Sequence, residues 1–102
     1  MHGDMRPIPD ETIRTEECAF FRYTEGPEIK VTAYRRLVKV MQINFNFELG
    51  YARVICNHPY KEELVQVEKL VRQYLPENVF LTDILWDAIR GKSGITEVRW
   101  EI

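Results

Sequence analysis

Histidine and cysteine are scarce: the chain holds only His2, His58, Cys18 and Cys56. A tetrahedral zinc site would consume nearly all four, so zinc chemistry is poorly supplied. Two cysteines are also too few for a secreted disulfide scaffold. The expected state is a pair of small thiols in a reducing compartment, which points to the cytoplasm. Glycine and proline number five each, which excludes collagen-like and low-complexity chains. No apolar run approaches the ~20 residues that span a bilayer. The start, Met1-His2-Gly3-Asp4-Met5-Arg6-Pro7, has no apolar segment of signal-peptide type and no lipidation motif, so no membrane partner is expected. An excess of one charge is missing too. Fourteen Lys and Arg face sixteen Asp and Glu, a formal net charge of −2, which provides no overall field to attract phosphates.

What remains is an ordinary globular composition, 45% hydrophobic and 29% charged over 102 residues. A chain of this size buries roughly two-thirds of its unfolded surface, enough for one core without metals or disulfides. Residues 1–12, interrupted by Pro7 and Pro9, read as a flexible leader, and residues 13–102 as a single α+β domain.

Residues 17–24, Glu-Cys-Ala-Phe-Phe-Arg-Tyr-Thr, are an aromatic-rich strand stopped by Gly26-Pro27. From Pro27 to Met41 two patterns compete. Ile29, Ala33, Tyr34, Leu37, Val38 and Met41 fall at helical spacing, and Pro27 with Glu28 suits a helix start. Against this, Ile29-Lys30-Val31-Thr32 alternates and is rich in β-branched residues. The helix is the preferred reading. Residues 41–49 then alternate apolar and polar without a fault, Gly50 supplies a turn, and Tyr51–Cys56 returns as a strand. A helix runs from a cap at Asn57 or His58 to about Leu75, with Glu68 and Arg72 as an i,i+4 pair. A second spans about 82–90, closed by Gly91. Residues 95–102 alternate as a final strand. The order βαββα(α)β predicts a ferredoxin-like antiparallel sheet with helices on one face. Should residues 29–40 be strand, a meander followed by helices results, still α+β. In the ferredoxin-like arrangement Cys18 and Cys56 could approach each other near His58.

Catalytic motifs are weak. Gly91-Lys92-Ser93 matches the end of a phosphate-binding loop, but Trp86 stands where that motif needs glycine. Pro9-Asp10 and Glu28-Ile29-Lys30 match the spaced Pro-Asp…Glu-x-Lys pattern of restriction-endonuclease-like nucleases, whose acidic groups hold Mg²⁺. A small metal-dependent nuclease or hydrolase is therefore the third functional reading. Asp83 and Asp87, four apart on a helix, read as a solvated face. No cofactor is expected.

Gly50-Tyr51-Ala52-Arg53-Val54 resembles part of the signature on the third strand of the RNA-recognition-motif family, over five residues. Arg53 and Cys56 stand where that family carries aromatics. The resemblance implies a sheet whose rings, here Tyr51 and Phe20, stack bases, with Arg22 and Arg53 adding charge. That makes a single-stranded nucleic-acid binder the alternative reading. The leading one is a non-catalytic binding or assembly module, because helices on one face leave rings uncovered on the other. Its expected partner-binding residues are Phe20, Tyr51, Arg53, Arg99 and Trp100. Lys30, Arg35, Arg36 and Lys39 form a basic patch on the predicted helix. The partner is a protein or a second copy, paired through the edge of the final strand.

Overall fold

The structure, a computed structural model, describes residues 7–101. Its elements in chain order are β1 (Glu11–Arg14), β2 (Cys18–Glu25), β3 (Glu28–Arg35), β4 (Val38–Asn46), β5 (Tyr51–Cys56), α1 (Lys61–Val71), α2 (Leu81–Ile89) and β6 (Gly94–Arg99). The strands form one antiparallel sheet in the order β1-β2-β3-β4-β5-β6. Both helices lie in the single connection between β5 and β6.

The α+β class holds, but the ferredoxin-like order does not. That order needs a helix where this chain has β3 and the first half of β4. Alternation wins there over helical spacing: Ile29, Val31 and Ala33 are buried, whereas Leu37, part of the expected helical stripe, is 97% exposed. Two tight hairpins make the strand possible. Gly26 takes φ 61 between Glu25 and Glu28, the left-handed value that a two-residue loop needs at its first position. Arg36 and Leu37 take φ 50 and 70 between Arg35 and Val38. Both are side chains that this region disfavours.

The boundary expected at residue 12 falls inside β1. Asp10 N–H already donates to the Arg22 carbonyl at 2.8 Å. Residues 1–6 of the expected leader lie outside the described residues. The cap of α1 is also shifted: Tyr60 is the N-cap, and the Glu63 carboxylate accepts its N–H at 3.2 Å.

The core lies between one sheet face and the two helices. Phe20, Ile29, Val31, Ala33, Met41, Ile43, Phe45, Ala52, Val54 and Val98 meet Leu64, Val67, Leu70, Leu81, Leu85 and Ile89. One cation joins them. Arg22 is buried with its Nη1 donating to the Leu70 carbonyl at 2.7 Å and its Nε to Asp10 at 2.9 Å. Its guanidinium also lies 5.5 Å from the Tyr74 ring centre. Leu70 is in the last turn of α1, so the helix dipole adds to the attraction. Glu68 pairs with Arg72 at 3.2 Å as its spacing suggested, and also accepts the Thr82 N–H at 2.6 Å. One carboxylate thus ties α1 to the start of α2.

Candidate binding face

Strand alternation gives every strand a second set of side chains, and neither of the described helices covers them. The register builds them into rows. Phe21, Thr32, Gln42, Ile55 and Ile95 form one; Tyr23, Lys30, Asn44, Arg53 and Glu97 form the next. Glu25, Glu28, Asn46, Tyr51 and Arg99 form a third. The rings on this face carry cations. Arg14 lies 5.5 Å from the Phe21 centre, Lys30 5.0 Å from Tyr23, and Arg99 4.8 Å from Tyr51. Phe21 also meets Tyr34 edge-on at 5.8 Å. Each of these cations stands over its ring at cation–π distance. Thr32 is 4% exposed, and its hydroxyl has no partner.

The face therefore brings together three of the expected partner-binding residues, Tyr51, Arg53 and Arg99. Phe20 is not among them. It is 1% exposed in the core beneath the helices, because its alternation partner Arg22 is drawn inward by Leu70 and Asp10. Its neighbours Phe21 and Tyr23 occupy the open face instead. Trp100 also lies on the helix side, half-buried and 6.0 Å from the Phe47 ring.

The basic patch is divided. Lys30 joins the open face. Arg35 and Arg36 sit at the β3–β4 turn and both bond the Glu17 carboxylate, at 3.2 and 2.5 Å. Arg35 also reaches the buried Glu63 at 3.4 Å. Lys39, on β4, donates to Gln42. The ion pairs leave a mostly neutralised turn rather than the basic patch expected on a helix.

Tyr51 titrates above its ordinary range, from desolvation first and then from hydrogen bonding to Glu97. It stays a neutral phenol at physiological pH. For Glu17, the bond and charge of Arg36 hold the carboxyl below its usual value.

A cleft of about 480 Å³ opens on the helix side between the β1–β2 loop and α1, lined in part by Glu17, Cys18, Phe20, Arg35, Tyr60 and Glu63. It contains a thiol but no histidine to deprotonate it. Cys56 is not near. It lies on β5, with β3 and β4 between it and the strand of Cys18, and does not line this cleft. Both thiols are free, and burial raises the Cys56 pKa. Of the nuclease-like residues, Asp10 is bound to the buried Arg22, whereas Lys30 lies on the open face over Tyr23. Among the described residues, no three His, Cys, Asp or Glu side chains are grouped to hold a metal ion. None of the described helices is long and apolar enough to cross a membrane.

Comparison with protein-family models, curated proteins and solved structures finds no match to this chain.

Proposed function

We propose that this protein is a non-catalytic binding module of the cytoplasm that receives an acidic protein segment on its uncovered sheet face. The observation that carries the reading is the face itself: rings under cations on a sheet side that neither described helix packs against. Arg14, Lys30, Lys39, Arg53 and Arg99 outnumber Glu25, Glu28 and Glu97 there, although the chain as a whole has net charge −2. Such a distribution favours an acidic partner locally while the rest of the surface repels it. Aromatic and arginine side chains are the usual anchors of protein contacts. The two free thiols fit a reducing compartment.

A nucleic-acid reading draws on the same rings, since Tyr51 and Arg53 of the RNA-recognition-motif-like segment share the face. The burial of Phe20 removes half of its expected stacking platform, and the remaining rings have cations over them rather than free surfaces. The two readings separate in one assay. Peptides selected from a random display library on the folded protein are expected to be acidic. Their affinity should fall roughly 5- to 50-fold on Arg53→Glu, by about 1–2 kcal/mol, with a cooperative thermal transition retained. Single-stranded RNA is expected to bind no tighter than about 10⁻⁵ M at physiological salt. Tighter, salt-sensitive RNA binding lost on Tyr51→Ala would replace the protein reading with the nucleic-acid one.

A further inference from the structure

The sheet has two edges, and they differ. β1 is four residues long, and short edge strands are poor templates for pairing. β6 has six residues, contains no proline, and pairs with β5 without a register shift. Among the described residues, its outer edge is a run of backbone donors and acceptors that no strand occupies.

The direction of those groups follows from one bond. Trp100 N–H donates inward to the Gly50 carbonyl at 2.9 Å. Antiparallel strands alternate inward and outward pairs, so Glu97 and Arg99 present their N–H and C=O groups away from β5. An incoming antiparallel strand must bond to those residues.

We propose that this strand is β6 of a second copy, in the register that centres the two-fold axis on Val98. That register sets Glu97 opposite Arg99 of the second copy and, by symmetry, Arg99 opposite its Glu97. About four backbone hydrogen bonds form at those two positions. Charge selects the register. Centring on Glu97 would oppose two like carboxylates, which destabilises a cross-strand pair. Centring on Thr96 would set Glu97 against the apolar Ile95. Only the Val98 centre pairs every charged outward residue of the strand core with its opposite.

The side-chain rows on the open face then continue across the axis. Arg53 already lies opposite Glu97 within the sheet, and Arg99 opposite Tyr51. In the dimer the row reads Arg53, Glu97, then Arg99 and Tyr51 of the second copy, so each carboxylate sits between two guanidinium groups. On the helix side Val98 meets its own copy, and the half-buried Trp100 lies beside Thr96. Two uncovered faces become one continuous surface. The proposal concerns the edge and holds whatever the face binds.

An edge contact of six residues is smaller than a standard interface, so the dissociation constant is expected on the order of 10⁻⁵–10⁻⁴ M. Sedimentation equilibrium of the full chain should show a monomer–dimer equilibrium in that range. Glu97→Arg alone and Arg99→Glu alone each oppose like charges and should weaken self-association roughly tenfold or more. Both positions are exposed, and a retained cooperative thermal transition checks that each variant is folded. In an equal mixture of the two variants, two arginines on one strand face two glutamates on the other. Dimers should therefore return as heterodimers. A wild-type chain that stays monomeric across the range would overturn the proposal. Single variants that associate like wild type, or a mixture that stays monomeric, would overturn it equally.

Discussion

Along β3, Ile29, Val31 and Ala33 lie beneath the helices, while Lys30, Thr32 and Tyr34 line the uncovered side. The same backbone therefore presents two surfaces built on different principles. The covered side is held by apolar area, about 25 cal/mol for each Å² removed from water, and every residue there has several neighbours to lose. The uncovered side is held by ring–cation and polar contacts that water partly replaces. Stability resides mainly in one set of alternate residues, and the proposed recognition falls to the other. Arg22 is the exception on the covered side, a cation accepted there because α1 ends above it and Asp10 reaches it.

The sharpest break of this comparison is a pair of neighbours on β4. Ile43 is fully buried, and Gln42 beside it faces the open side. Ile43→Ala is expected to cost about 2–5 kcal/mol, the range for a large core side chain cut to alanine. Gln42→Ala should stay within about 0.5 kcal/mol of wild type, as surface changes usually do. Urea unfolding of both variants checks this. Equal losses would mean that the uncovered face contributes to stability as the core does.

A smaller effect, of opposite sign, is expected at the β3–β4 turn. Arg36 and Leu37 occupy left-handed backbone, which costs an L side chain roughly 1–2 kcal/mol per residue. Replacing the pair by Arg36→Asn with Leu37→Gly supplies the residues that a two-residue hairpin loop prefers. Losing the Arg36–Glu17 contact offsets little, because that pair is solvent-exposed. The double variant should therefore gain about 1–2 kcal/mol by the same unfolding measurement. A loss would show that the turn's own side chains hold it.

That turn also explains what could and could not be read from the chain. The alternation of Met41–Leu49, the return along Tyr51–Cys56, and the helices carrying Leu64, Val67 and Leu85 were all legible, because each has one clean period. β3 was not. Its loop has neither glycine nor asparagine to mark it, and Ile29, Ala33, Leu37 and Met41 fall by coincidence at helical spacing. β1 offers almost no signal, with Ile13 its only large apolar side chain. The open face was half legible. Tyr51, Arg53 and Arg99 follow from the alternation of β5 and β6. On β2 the hydrophobic rule points the wrong way, since Arg22 goes in and Tyr23 stays out. The partners that draw Arg22 inward, Leu70 and Asp10, are 48 and 12 residues distant, beyond the reach of any local pattern.

The smallest expected effect tests whether that inward cation depends on its carboxylate. Burial opposes ionisation of Asp10, but hydrogen bonds from Thr24 and Arg22, with the Arg22 charge, outweigh it and lower its pKa below the ordinary 3.8. A depressed folded-state pKa stabilises the fold at every pH above the unfolded value. The contribution falls away as the pH drops from 3.8 through the folded-state value, where the carboxylate takes up its proton. The Asp10 side chain is 40% exposed, so solvent screening keeps the contribution within about 1 kcal/mol. Asp10→Asn should be less stable than wild type at neutral pH and converge with it in acid. Glu17, also depressed, titrates in both proteins and cancels in the comparison. Unfolding free energies measured at neutral pH and again below the folded-state pKa test this directly. A gap that persists unchanged in acid would mean that the Leu70 carbonyl and the Tyr74 ring hold Arg22 without help from the Asp10 charge.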